Sequence, residues 1–220
     1  ILADEDALPG GRLNGERATL DGGAGSDWAA AAVARLRAMP NVRVMTRTTV
    51  TGVYDQGTFG ALERVGHHLD DRPRGLPLEC FWRIAAKRAV LAAGAIERPV
   101  AFAGNDRPGV MLAGAVRTYL NRYGVAPGRR VAVFGNTDEA HRTAADLVAA
   151  GVHVTALIDA RPDARSTLSV PFYPGGVVTG AEGRLGLESV RFEAGGRSQS
   201  VIADCLAVSG GWNPNVHLTC

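Results

Sequence analysis

The sequence predicts an α/β fold built on parallel sheets, and three observations lead to this prediction. A strand, a helix and a second strand are predicted between residues 129 and 158, which is the βαβ pattern of a parallel sheet. Another helix is predicted at 28–39, between strand-like runs at 1–3 and 42–45. Many of the 28 glycines fall between hydrophobic runs, where turns from strand to helix need them.

Local patterns predict the remaining elements. The amphipathic run 110–123 predicts a helix that ends at Gly124, and 87–94 predicts a short buried strand that ends in a tight turn. Residues 55–78 have mixed polarity and predict a hairpin or an excursion. From residue 176 on, further strand-like runs predict a β-rich part that completes the domain containing the βαβ unit at 129–158.

The order of these elements predicts one domain interrupted by another. We expect 1–107 to form a partial first dinucleotide-binding domain, 108–208 an inserted second Rossmann-like domain, and 209–220 the return to the first. A first strand and its Gly-rich loop are missing and both ends look cut, so we expect a piece of a longer polypeptide. The predicted fold class is thus an incomplete two-dinucleotide-binding-domain (FAD/NAD(P)-binding, Rossmann-like) fold with parallel sheets and β-rich excursions.

Composition excludes several classes of function. Lys and Arg total 24 against 22 Asp and Glu, so there is no basic surface that indicates nucleic-acid binding. No apolar stretch reaches the roughly 20 residues that a membrane span requires. Cys80, Cys205 and Cys220 lack the spacing of a disulfide framework or a zinc site, which favours a reducing cytoplasm.

The first candidate site follows residues 1–3. Asp4 comes at the end of a predicted buried strand, where a carboxylate can accept hydrogen bonds from the hydroxyls of an adenosine ribose. Gly10 and Gly11 lie just downstream and would let the backbone approach a dinucleotide closely. The alternative interpretation is a solvated acidic loop, and the residues alone leave both open.

The second candidate site is the loop that begins at Gly135. Gly135 and Ala140 match the first and third positions of G-x-G-x-x-G/A, but Thr137 replaces the middle glycine that admits a pyrophosphate. Asp138 and Glu139 lie at the predicted helix N-terminus, where acids suit the helix dipole but repel a phosphate. We therefore expect this site not to bind a dinucleotide in the standard way. Neither this loop nor the five histidines complete a set of catalytic residues or a metal site.

Longer motifs carry a family resemblance. The segment 92–99 (Ala-Ala-Gly-Ala-Ile-Glu-Arg-Pro) resembles a strand-end motif of enzymes with two dinucleotide-binding domains, although Ala93 stands where Thr is usual. Together with the block 105–112 (Asn-Asp-Arg-Pro-Gly-Val-Met-Leu) it resembles the alpha subunit of heterotetrameric sarcosine oxidase. Similar blocks occur at 118–125, 158–161 and 209–214. The resemblance runs nearly from end to end.

The resemblance implies a function for the whole complex. Such complexes convert sarcosine, oxygen and tetrahydrofolate to glycine, methylene-tetrahydrofolate and hydrogen peroxide. It implies NAD bound in the middle region of alpha, FAD and FMN in the beta subunit of the complex or at its interface with alpha, and tetrahydrofolate on a C-terminal domain. The beta, gamma and delta subunits would be the partners. The chain would then be a non-catalytic part of an oxidoreductase.

The same resemblance implies binding roles for individual residues. Asp4 would contact the adenosine ribose, and Val50 would contact adenine through its backbone. Three residues would lie along the dinucleotide, namely Gly10, Gly11 and Arg12. Ala93 and Gly94 would cover the cofactor. No residue is assigned a catalytic role or a metal.

Two alternatives remain open. One is a subunit of an opine oxidase or a cyanide synthase, which are relatives with similar motif blocks. The other is a scaffold whose nucleotide sites have decayed and which serves only the assembly of the complex. The degenerate loop at Gly135 favours the scaffold locally.

Overall fold

The computed structural model describes residues 1–219, and the chain divides into two compact units. Unit 1 consists of 1–14, 18–94 and the residues from Pro214 on, and unit 2 consists of 15–17 and 95–213. Cys220 lies outside the described residues. The predicted domain boundaries after residues 107 and 208 stay a prediction, because a division by contacts does not define a domain that folds alone.

The described residues form three α-helices and seventeen strands. The helices are α1 (Gly25–Arg37), α2 (Ala113–Tyr123) and α3 (Asp138–Ala149). The strands are β1 (Leu2–Ala3), β2 (Thr19–Leu20), β3 (Gly23–Ala24), β4 (Val44–Met45), β5 (Thr48–Tyr54), β6 (Thr58–Arg64), β7 (Glu79–Ala85), β8 (Ala95–Glu97), β9 (Val110–Leu112), β10 (Arg130–Gly135), β11 (His153–Asp159), β12 (Phe172–Pro174), β13 (Val177–Glu182), β14 (Ser189–Ala194), β15 (Arg197–Ile202), β16 (Cys205–Ser209) and β17 (Trp212–Pro214).

Unit 1 contains a short βαβ element and an antiparallel sheet. β1 and β4 pair in parallel with Leu2 opposite Val44, and α1 connects them. The predicted helix therefore exists, but it begins at Gly25, and its N-cap Ala24 makes no side-chain cap. Ser26 and Asp27, residue types that often precede a helix as caps, lie inside its first turn. The predicted excursion at 55–78 contains β6, which lies between β5 and β7 in a three-stranded sheet.

Two predictions of burial in unit 1 are wrong. Ile1 and Leu2 are exposed, because β1 has only β4 as a neighbour among the described strands. Residues 87–94 form no strand, and Val90 is 92% exposed. A strand requires a hydrogen-bonding neighbour, and no described strand pairs with this segment, so its apolar pattern alone does not produce one.

Unit 2 is built on a five-stranded parallel sheet in the order β12-β11-β10-β16-β9. The predicted βαβ pattern is confirmed as β10, α3 and β11. The prediction of helix across 110–123 is wrong for its first three residues, which form β9 and pair with Leu206, Ala207 and Val208 of β16. The helix α2 begins only afterwards, and Gly124 ends it with φ +67°.

Both faces of this parallel sheet are buried, so its strands are almost continuously apolar. One face packs against the antiparallel sheet β13-β14-β15, with Phe192 and Leu206 in its fully buried core. The other face packs against the two helices α2 and α3, with Val116, Leu147 and Leu157 buried there. The carboxyl ends of the parallel strands form one edge of this three-layered unit, and loops and helix N-termini meet at that edge.

Candidate functional site

The carboxyl edge of the unit 2 sheet has a topological switch point. From the central strand β10 the chain runs through α3 to β11 on one side, whereas β16 and β9 pair on the other side. A crevice at such a point is where open α/β sheets bind ligands. Gly135 ends β10 there, and it lies between Asp159 of β11 and Ser209 of β16.

Gly135 allows close packing of α3 on the sheet. A Cβ at this position would lie 2.8 Å from Cβ of Ala140 and 2.9 Å from the carbonyl oxygen of Ser209. The predicted match of Gly135 and Ala140 to the glycine-rich pattern therefore has a structural basis, since only glycine leaves room for this contact.

Replacing Gly135 with alanine is expected to destabilise the chain by about 1–3 kcal/mol, because a backbone oxygen and a fixed methyl group must move. Chemical denaturation monitored by circular dichroism measures this. Gly186→Ala is the matched control in the same unit, because a Cβ there meets its nearest atom at 3.4 Å, an ordinary contact. Equal stability of the two variants would contradict the packing role of Gly135.

Two buried hydroxyls lie at this edge of the sheet, one in the loop after Gly135 and the other at the end of β16. Thr137 is the extended N-cap of α3 with φ −143°, and its side chain makes no cap hydrogen bond. Within the described residues, Oγ1 of Thr137 and Oγ of the fully buried Ser209 have no hydrogen-bond partner. Thr137 thus places a side chain where the pattern for pyrophosphate binding requires none.

The acids at the start of α3 are paired. The Asp138 carboxylate lies 2.9 Å from Nη2 of Arg161. Glu139 contacts Nη1 of the buried Arg117 at 3.1 Å and Nη1 of Arg142 at 2.7 Å. The expectation that these acids repel a phosphate is therefore weakened, because cations offset both charges.

Asp159 carries the most heavily engaged carboxylate of this edge. It ends β11 and is fully buried. Its Oδ1 accepts hydrogen bonds from the backbone N and from Nε of Arg161, and its Oδ2 from Nη2 of Arg161. Nε2 of His141 lies 2.7 Å from Oδ2. Burial opposes the charge of Asp159, but the hydrogen bonds from Arg161 and His141 outweigh it, so its pKa lies below the ordinary value.

The lowered pKa of Asp159 predicts a pH-dependent contribution to stability. A carboxylate with a lowered folded-state pKa stabilises fully above its unfolded-state pKa, and it loses that effect as the pH falls through the folded-state pKa. We expect the difference in urea midpoint between the parent and Asp159→Asn to shrink as the pH falls below the ordinary value of 3.8. A difference that grows on acidification would contradict this.

Asp4 lies at the carboxyl end of β1 in unit 1, as its predicted role requires. Its backbone N–H donates to the carbonyl of Met45, and its carbonyl accepts from the N–H of Thr48. Its Oδ1 accepts from the N–H of Asp6 at 2.9 Å. Among the described residues, Oδ2 has no hydrogen bond, so one oxygen of a partly buried carboxylate is available to a ligand.

Gly10, Gly11 and Arg12 lie at the turn after this acid. A Cβ on Gly10 would come within 3.1 Å of Cβ of Ala29, so the turn packs against α1. Gly11 has φ +53° and open space around its missing Cβ. Arg12 is exposed in the 3₁₀ turn Gly11–Asn14.

Three residues implied by the resemblance lie elsewhere in unit 1. Val50 is a partly buried residue of β5 and pairs with Ala61 of β6. β5 begins at Thr48, whose N–H donates to the carbonyl of Asp4, and Val50 follows two residues later on the same strand. Ala93 and Gly94 lie in the separate exposed segment, where the Gly94 carbonyl accepts a hydrogen bond from Asn215. Binding roles for these residues stay predictions.

Two residues of the family motifs make structural contacts. Oε2 of the buried Glu97 accepts a hydrogen bond of 2.7 Å from the N–H of Gly114, in the first turn of α2. Since Leu112 provides no side-chain cap, Glu97 takes that role from a distant position. Arg107 binds the carbonyls of Ala181 and Gly183. Local sequence patterns identify neither contact, because both connect residues far apart in the chain.

Other site classes are not found in the described part of the chain. It holds no group of three or more His, Cys, Asp or Glu side chains placed to bind a metal. Among residues 1–219, no helix is long and apolar enough to cross a membrane. Burial and the nearby Asp204 carboxylate raise the pKa of the Cys205 thiol to about 12, which makes it a poor nucleophile.

Solved structures define the class of fold. L-proline dehydrogenase from P. horikoshii matches with a TM-score of 0.72 and 24% identity, over 98% of this chain and 37% of its own. Thioredoxin reductase from T. acidophilum matches with a TM-score of 0.69 and 14% identity, over 97% of this chain and 69% of its own. The chain therefore has the α/β fold of FAD/NAD(P)-binding oxidoreductases, as predicted.

Curated relatives narrow the class to a family. The alpha subunit of sarcosine oxidase from Rhizobium meliloti (strain 1021) is 48% identical over the whole chain, and that from Corynebacterium sp. (strain P-1) is 42% identical over 99%. The chain is thus a homologue of the sarcosine oxidase alpha subunits. It spans 22% and 24% of the length of these two relatives. One subunit of the opine oxidase of Rhizobium meliloti (strain 1021) is 31% identical over 72% of this chain and 33% of its own length. No family model matches.

Proposed function

We propose that the chain is the dinucleotide-binding region of a sarcosine oxidase alpha subunit. The 48% identity to such a protein over the whole chain carries this proposal. The complex would oxidatively demethylate sarcosine to glycine with tetrahydrofolate and oxygen, and it would release methylene-tetrahydrofolate and hydrogen peroxide. Beta, gamma and delta subunits would be its partners, and the cytoplasm its location.

In this proposal unit 1 holds NAD. The open Oδ2 of Asp4 fits a ribose hydroxyl, and the empty space around Gly11 fits a closely approaching phosphate. Arg12, Gly10 and the backbone of Val50 would complete the contacts, and Ala93 and Gly94 would cover the ligand. We assign no proton transfer and no nucleophile to this chain. FAD and FMN would supply the redox chemistry in the beta subunit or at its interface with alpha, and tetrahydrofolate would bind another part of the protein.

Two measurements test the proposal. The complete polypeptide, purified with its co-expressed subunits, should form hydrogen peroxide when sarcosine is added. It should also show saturable NAD binding by calorimetry. Oxidation of opines without oxidation of sarcosine would favour the alternative that the 31% identity to an opine oxidase subunit supports. Intact assembly without saturable NAD binding would favour the scaffold.

A further inference from the structure

We propose that unit 2 holds a latent NAD site, which Arg161 and Thr137 keep closed. This site is separate from the one proposed in unit 1. Its frame is complete in three respects: the switch point beside β10, the close contact of Gly135 with Ala140, and an acid at the end of β11. An acid in that position binds the 2′-hydroxyl of NAD and disfavours the 2′-phosphate of NADP. The ligand class is therefore the unphosphorylated dinucleotide.

Arg161 saturates the acid that a ribose requires. An ionised carboxylate offers about four acceptor positions. Asp159 receives three hydrogen bonds from Arg161 and lies 2.7 Å from Nε2 of His141, and its side chain is fully buried. No acceptor position is left for the ribose hydroxyls, so a dinucleotide can bind only if Arg161 leaves.

A second contact holds Arg161 in place. Its Nη2 also lies 2.9 Å from the carboxylate of Asp138, the first residue of α3. The guanidinium thus bridges the end of β11 and the N-terminus of α3. A dinucleotide places its pyrophosphate at that N-terminus, so the same side chain occupies both halves of the site.

Thr137 closes the path of the pyrophosphate. It stands at the middle position of the loop, where a glycine normally lets the phosphates approach the backbone. Its Oγ1 is buried, and its Cγ2 lies 3.9 Å from the position that a Cβ on Gly211 would take. The side chain of Thr137 therefore lies beside the segment that follows β16.

The test is a double substitution in the complete polypeptide with its subunits. Thr137→Gly with Arg161→Ala is introduced into an Asp4→Ala background, which separates this site from unit 1. We expect the double variant to bind one additional NAD per polypeptide, with an affinity at least tenfold above that for NADP. The Asp4→Ala variant alone should not bind this additional NAD. Arg142→Ala, which removes an arginine from the same helix edge without touching Asp159, should add no site.

Four outcomes are decisive. Asp159→Asn added to the double variant should abolish the gained binding. A double variant that keeps its near-ultraviolet circular dichroism but gains no NAD site overturns the proposal. So does a background protein that already binds NAD at a site sensitive to Asp159→Asn. If Arg161→Ala prevents folding, Arg161→Gln with Thr137→Gly replaces it, and the absence of a gain there also overturns the proposal. If unit 1 does not bind NAD, the parent protein will show no NAD binding. The comparison of the double variant with its Asp4→Ala background still tests the site in unit 2.

Discussion

Replacing Asp4 with alanine is expected to weaken NAD binding by the complete polypeptide about tenfold to hundredfold. A hydrogen bond to a charged group contributes roughly 1.5–3 kcal/mol, and each 1.4 kcal/mol corresponds to a factor of about ten in affinity. Oδ2 of Asp4 is the open acceptor at the end of β1, so its loss removes the proposed ribose contact. Isothermal titration calorimetry measures the change.

Two controls separate this effect from a structural one. Glu5→Ala removes the exposed neighbouring acid and should leave the affinity within about twofold, since an exposed charge interacts weakly through water. Asp4→Asn retains an acceptor for the N–H of Asp6 but lacks the charge, and it should give an intermediate loss. An Asp4→Ala variant with unchanged NAD affinity would refute the role of Asp4.

Replacing Arg117 with alanine is expected to destabilise the chain by about 3–5 kcal/mol, because it leaves the buried carboxylate of Asp146 without its cation. The side chain of Arg117 is only 7% exposed, and its guanidinium lies 2.8 Å from Asp146, 3.1 Å from Glu139 and 3.7 Å from Glu16. Asp146 also accepts a hydrogen bond from Asn121, so the cluster connects α2 with α3. Urea denaturation gives the change in free energy of unfolding.

Arg142→Ala is the matched control for Arg117. Both arginines bind Glu139, but the side chain of Arg142 is 62% exposed. Exposed pairs contribute about 0–1 kcal/mol, so this substitution should have a small effect. Similar losses of unfolding free energy in the two variants would contradict the idea that burial makes the ion pairs of Arg117 important for stability.

The sequence was sufficient for elements with local signals. The helix α3 has apolar residues at helical spacing between a loop that begins with a glycine and the turn at Gly151, and this pattern made it predictable. The structure confirms the predicted order of β10, α3 and β11. The end of α2 at Gly124 was also predictable, because glycine adopts the left-handed conformation there without strain. The fold class followed from these elements.

Features that depend on distant pairing were not predictable. Val110-Met111-Leu112 continue an amphipathic helical pattern, and only the partner β16 makes them a strand. The capping of α2 by Glu97 and the arginine cluster on α2 and α3 depend on contacts between elements. The same holds for Asp159, whose partner His141 lies on another element, and the sequence offered no spacing that indicates this pair.

The position of β16 has a consequence for how unit 2 forms during synthesis. This strand lies between β10 and β9, although it is the last strand of the five to leave the ribosome. Both core clusters include its residues, among them Leu206 on one face and Ala207 on the other. The sheet of unit 2 can therefore become continuous only after residue 209 has been synthesised. A nascent chain without that strand exposes two apolar faces and the edges of two strands. Such a chain is prone to aggregation.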